Sequence, residues 1–134
     1  MKSMILFKLL FILILSALSG CRLISNSSDD ISYRKITAEE AKDMIDKDNS
    51  IIILDVRTEQ EYKSGYIEGA IHLPENEILD EAEKIITDKS TTILLYCRSG
   101  RRSALAADNL IELGFSNVYD FGGIIDWKYD IVTN

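Results

Sequence analysis

The sequence predicts an α/β fold with a mainly parallel sheet, because short apolar runs alternate with helical stretches from residue 33 onward. Two of those runs, "IIILD" at 51–55 and "TTILLY" at 91–96, are apolar without interruption, as strands buried on both faces are. The composition agrees: 46% hydrophobic and 28% charged residues in a chain of 134 suit one globular domain and exclude general disorder. That domain is expected over residues 33–134.

The elements follow in order. Residues 33–36, "YRKI", make a weak strand. Thr37 then starts a helix over 37–47, with Glu40 three residues on completing a capping box. After the buried strand at 51–55, "TEQEYKSG" repeats the pattern, with Thr58 as N-cap, Glu61 at the box position and Gly65 placed to take the left-handed C-terminal position. A short strand at 70–73 stops at Pro74, the only proline. Residues 75–86 form an amphipathic helix, 91–96 the second buried strand, 103–114 a helix closed by Gly114, and 117–121 the last strand. In parallel sheets ligands collect at the carboxyl ends of strands, where Asp55 and Cys97 both lie.

The first twenty residues stand apart. Lys2 and Lys8 precede an apolar stretch at 9–18 and then small residues, the layout of a secretory signal and too short for a comfortable membrane span. The segment ends in "LSGC", which resembles the lipobox of bacterial lipoproteins, whose signal peptidase cuts before the cysteine. That resemblance implies that Cys21 becomes the lipidated N-terminus of the mature chain and holds it on the extracytoplasmic side of a membrane in a bacterial cell envelope. An uncleaved N-terminal anchor would leave the domain on the same side. Residues 22–32 are polar and aperiodic and read as a tether of at most about 36 Å.

Charge narrows the partners. The formal charge is −7, and loss of Lys2 and Lys8 would take it to −9, so neither nucleic acid nor a polybasic membrane patch is expected; attachment would rest on acyl chains at Cys21. Yet "CRSGRRS", 97–103, gathers three arginines beside a thiol. A cysteine between a strand and a helix N-terminus meets unpaired N–H groups and a positive dipole end, which favour the thiolate. Arg98, Arg101 and Arg102 are expected to push the same way, and Gly100 lets the loop curl so that successive amides point inward. A cysteine is ordinarily a small buried hydrophobe, but here the apolar run ends at Tyr96 and the thiol sits among charges. Cys97 is therefore expected to be nucleophilic and partly exposed.

Four segments together carry a resemblance: 54–74 "LDVRTEQEYKSGYIEGAIHLP", 94–103 "LLYCRSGRRS", the helix from Ala104, and 121–127 "FGGIIDW". From about Thr37 to Trp127 the chain resembles the single-domain rhodaneses. The resemblance implies a three-layer sandwich with its sheet between helices, and a sulfurtransferase in which Cys97 takes sulfane sulfur from a donor such as thiosulfate. The resulting persulfide would pass to a thiophilic acceptor: a thiol, cyanide or a protein. It further implies that Arg98, Ser99, Gly100, Arg101, Arg102 and Ser103 form the loop around the sulfur, that Asp55 and Arg57 brace it as an ion pair at a strand end, and that no metal or organic cofactor is needed. Tyr66 stands where many relatives carry histidine and is assigned no chemistry. His72, the only histidine, suits a packed or surface role, and Glu61, Tyr62, Gly122, Gly123 and Trp127 read as architectural.

Two other functions fit parts of the pattern. A related fold serves Cys-dependent phosphatases and arsenate reductases, but their loop has five residues between cysteine and arginine. Here Arg102 follows Cys97 after four, a smaller cradle suited to sulfur. A protein-interaction module without rapid turnover usually lacks the nucleophile, and Cys97 is present; a persulfide carrier differs from the enzyme only in kinetics.

Overall fold

Six consecutive residues set the centre of the molecule. Strand β4 (Thr92–Cys97) sends Ile93, Leu95 and Cys97 into one apolar cluster and Leu94 and Tyr96 into another, following the two-residue period of a strand. A strand buried on both faces needs cover on each, which puts the sheet in the middle of three layers. The computed structural model describes residues 31–133. The signal segment, Cys21 and the tether as far as residue 30 lie outside the described residues.

Strands β1 (Arg34–Lys35), β2 (Ile52–Asp55), β3 (Ile71–His72), β4 and β5 (Asn117–Gly123) form one sheet in the order β1-β5-β4-β2-β3. Every neighbouring pair is parallel. The helices are α1 (Ala38–Lys47), α2 (Glu59–Lys63), α3 (Ile78–Ile85) and α4 (Arg101–Glu112). Helices α3 and α4 cover the Cys97 face, where Ile78, Ala82, Ala106, Ala107 and Leu110 join its cluster. On the other face Ala41 of α1 packs with Ile53, Leu94, Tyr96 and Phe121. Both predicted capping boxes are present: Thr37 with Glu40, and Thr58 with Glu61.

Three boundaries differ from the sequence reading. The helix expected over 75–86 opens as a 3-10 turn, Glu75–Glu77, before α3 begins, because no side chain caps its first N–H groups and the turn tightens instead. Helix α4 begins at Arg101 rather than Ser103, since Gly100 at φ +110° occupies the N-cap position in a conformation that other residues rarely adopt. Strand β5 runs on to Gly123 through one extra residue: Leu95 pairs with Asp120, and Cys97 with Gly123. That bulge, held by the Asp120 carboxylate accepting from the Gly122 N–H at 2.9 Å, carries β5 across the floor of the cysteine loop.

Candidate active site

The carboxyl end of β4 delivers Cys97 to the loop that turns into α4. The backbone is drawn tight there, and Gly123 shows how tightly: a Cβ on it would lie 2.2 Å from the Arg98 carbonyl oxygen and 2.7 Å from the Ser99 Cα. Only a hydrogen fits between β5 and the loop. The Ile125 N–H, donating to the same Arg98 carbonyl at 3.3 Å, fastens the loop from the far side of Gly123.

Within this turn the Gly100 N–H donates to Cys97 Sγ at 3.0 Å. The thiol lies 3.7 Å from Ser103 Oγ, and that hydroxyl is within reach of the Gly100 carbonyl at 3.0 Å and the Gly122 carbonyl at 3.3 Å. Burial pushes the Cys97 thiol up. Hydrogen bonds from the Ser103 amide and hydroxyl and from the Gly100 and Ser99 amides outweigh it, and the net shift is downward. The site is an anion cradle made of main-chain N–H groups.

Two expectations need correction here. Cys97 is 1% exposed and belongs to an apolar cluster, so it is not partly exposed; it is the last residue of the buried strand, and the polar loop closes over its sulfur. Nor do three arginines crowd the thiol. Arg98 and Arg101 are exposed and, among the described residues, have no ion partner, while Arg102 is turned to Glu61, which accepts from it twice, at 2.7 and 2.9 Å. Main-chain amides and the Ser103 hydroxyl are the main groups that lower the thiol, and Arg102, held on Glu61, adds a smaller electrostatic part.

Asp55 and Arg57 do form an ion pair at the end of β2, and it is buried. The Arg57 Nε and Nη2 donate to the Asp55 carboxylate at 2.9 and 2.6 Å, with Asp55 fully buried. Arg57 also donates to the Gly65 carbonyl at 2.7 Å, and the Tyr96 hydroxyl donates to Asp55 at 2.7 Å while accepting from the Ile67 N–H at 3.1 Å. Burial, with Asp55 beside it, pushes the Tyr96 phenol well up, so it stays a donor. For Arg57 burial works against the charge, and the hydrogen bonds to Asp55 overcome it. Among the described residues no hydrogen bond joins this pair to 98–103. Asp55 and Tyr96 lie on the face of the sheet opposite Cys97, so the bracing passes through the main chain of residues 96 and 97 and not to the loop itself.

His72 is packed, stacked at 4.7 Å on Tyr62, with Nε2 donating to the Arg57 carbonyl at 2.8 Å; Tyr66 stacks on the other side of Tyr62 at 4.3 Å. The sequence reading found Glu61 only as part of a cap and did not single out Tyr96. Thr58 and Glu61 were visible as a cap, but the partner of Glu61 lies 41 residues on, a separation that no local pattern encodes. Among the described residues no group of histidines, cysteines and carboxylates is arranged to hold a metal ion.

Residues 37–130 match the rhodanese-like domain family. The chain is 36% identical over 97 residues to the thiosulfate sulfurtransferase GlpE of Coxiella burnetii, covering 72% of this chain and 88% of GlpE. It is 35% identical over 103 residues to YrkF of Bacillus subtilis, covering 76% of this chain and 55%, about half, of YrkF. Its fold is similar to the crystal structure of a rhodanese-related protein from Thermoplasma volcanium, with a TM-score of 0.66 at 31% identity, covering 76% of this chain and 100% of that one.

Proposed function

Because this chain belongs to the rhodanese-like domain family, we propose that it is a sulfurtransferase working through a persulfide on Cys97. The observation that carries the reading is the cradle around Sγ, with the Gly100 N–H at 3.0 Å and a thiol lowered despite burial. The similarity to GlpE, a thiosulfate sulfurtransferase, supports thiosulfate as donor.

In the first half-reaction the Cys97 thiolate attacks the sulfane sulfur of thiosulfate. The S–S bond to the sulfonate sulfur breaks, sulfite leaves with the electron pair, and Cys97 is left as a persulfide anion. In the second, a thiophilic acceptor attacks the outer sulfur and the thiolate returns; with cyanide the product is thiocyanate. Each half conserves charge and needs no proton from the protein. This is covalent catalysis, one transfer divided into two, and the inward amides stabilise the anion before and after the sulfur arrives. Ser103 fits the same role, since its hydroxyl can turn from the Gly100 carbonyl to the sulfur. The exposed Arg98 and Arg101 would draw the dianionic donor to the mouth.

The test is mass spectrometry of the full chain after thiosulfate treatment. One added sulfur on the Cys97 peptide, lost on reduction and absent in Cys97→Ala, is the expected result. A bare Cys97 refutes the reading. Continuous thiocyanate production with cyanide would mark an enzyme, whereas a single loading without turnover would mark a carrier, the description that YrkF, named as a candidate sulfur carrier protein, lends some weight. In this reading Cys21 bears the lipid that sets the domain on the extracytoplasmic face of a bacterial membrane.

A further inference from the structure

One ionic contact beside the cradle is not used by the chemistry above. Glu61 sits on α2, a helix of five residues, and its carboxylate does two things at once. Oε2 accepts from the Thr58 N–H and hydroxyl, both at 3.0 Å, which closes the cap; the two oxygens together accept from Arg102 at 2.7 and 2.9 Å. The cap fixes the carboxylate, so the fork of the guanidinium is matched by an acceptor that is already in place. Both side chains are about a quarter exposed. Arg102 thus belongs to the cysteine loop by sequence and to α2 by contact.

We propose that Glu61 is a specificity-setting residue: it holds Arg102 away from the incoming anion and leaves recognition of the donor to Arg98 and Arg101. The identity of that anion as a sulfur donor rests on the sulfurtransferase reading; the holding of Arg102 does not. Three charges at the mouth would bind any small dianion, sulfite product and phosphate included, more tightly and with less discrimination. Tying one of them down weakens capture of the donor while easing release of the product anion. The positions fit this division. Arg98 and Arg101 are exposed, and Arg102 has both Nη1 and Nη2 engaged by Glu61, with its guanidinium raised chiefly by Glu61 and only in smaller part by the Cys97 thiolate. The Glu61 carboxyl is lowered to about 2 by the same contact, so the restraint holds throughout the neutral range.

Glu61→Gln removes the charge yet keeps an acceptor for the Thr58 N–H, so the cap survives. The readout is the ratio of rate constants for alkylation of Cys97 by iodoacetate and by neutral iodoacetamide, followed on the Cys97 peptide of the full chain. Both reagents consume the thiolate, so the ratio cancels any change in its population and reports the pull on an anion alone. In Glu61→Gln the ratio should rise about threefold, the order of one partly screened charge, and the KM for thiosulfate should fall to match. In an Arg102→Gln background, where no guanidinium remains to be released, the same substitution should give a clearly smaller rise. An unchanged ratio in Glu61→Gln, or equal rises with and without Arg102, overturns the proposal, the latter because Glu61 would then act only as a diffuse charge. A wild-type chain that takes no sulfur from thiosulfate would remove the sulfurtransferase reading and leave this measurement standing, since alkylation needs no donor.

Discussion

Replacing Gly123 by alanine isolates the contact on which the cradle rests. The new Cβ would lie 2.2 Å from the Arg98 carbonyl oxygen, whereas carbon and oxygen not joined by a bond approach to about 3.3 Å. Some 1 Å of relief is required, and both partners are main chain: β5 is held by its pairing with β4, and the loop by the Ile125 N–H. Overpacking of this kind costs about 1–3 kcal/mol. For a domain of this size each kcal/mol lowers Tm by about 4–8 °C, so a loss near 2 kcal/mol is about 8–16 °C. The relief also moves the loop outward, and the Gly100 N–H leaves its 3.0 Å contact with Sγ. A hydrogen bond to a charged acceptor contributes about 1.5–3 kcal/mol, which is roughly one to two pKa units on the thiol. Thermal unfolding and the pH profile of Cys97 alkylation by iodoacetamide measure the two effects separately. Gly114→Ala is the comparison, because Gly114 has φ +92° and open space around it: backbone strain should lower its Tm and leave the thiol profile where it was. A Gly123→Ala chain that folds and titrates at Cys97 like the wild type would refute the account of how the cradle is held.

Two further outcomes follow from the charges. Asp55→Asn leaves the buried Arg57 without its counterion, and equilibrium urea unfolding should show a loss of about 3–5 kcal/mol, roughly a fifth or more of a typical domain's stability; a loss under 1 kcal/mol would contradict the network described. Glu61, lowered from 4.5 to about 2 in the folded chain, takes up its proton first in the unfolded state. Its contribution to stability is therefore complete above pH 4.5 and is lost as the pH falls toward 2. Without screening the shift corresponds to about 3 kcal/mol, and with the side chain 27% exposed about 1–2 kcal/mol is expected. Urea titrations between pH 2 and 6 should show that drop in the wild type and a shallower one in Glu61→Gln.

What the sequence made legible was whatever local rules encode. The two capping boxes and the doubly buried strands at 51–55 and 91–96 follow from patterns spanning a few residues, and the parallel sheet from the alternation of strands with helices. The loop at Cys97 was legible for the same reason, since its glycine, its serine and the helix that follows are neighbours in the chain. The direction in which charged side chains turn was not. Arg102 finds Glu61 across 41 positions, and the ion pair of Asp55 and Arg57 reads in sequence only as a pair at a strand end; its burial beside Tyr96 comes from strand register. The burial of Cys97 was missed because an arginine follows it, although a strand's last residue can face the core while the next one leaves it.

The two outermost strands, β1 and β3, are each two residues long and flank a middle that is much longer. Each outer strand thus offers only a short run of outward N–H and C=O groups along which another chain could add itself. An all-parallel sheet with long open borders would be a template for chain-to-chain addition whenever copies are brought close together. Here the outermost strands carry only a ladder rung or two each, which shortens the template that such addition would need.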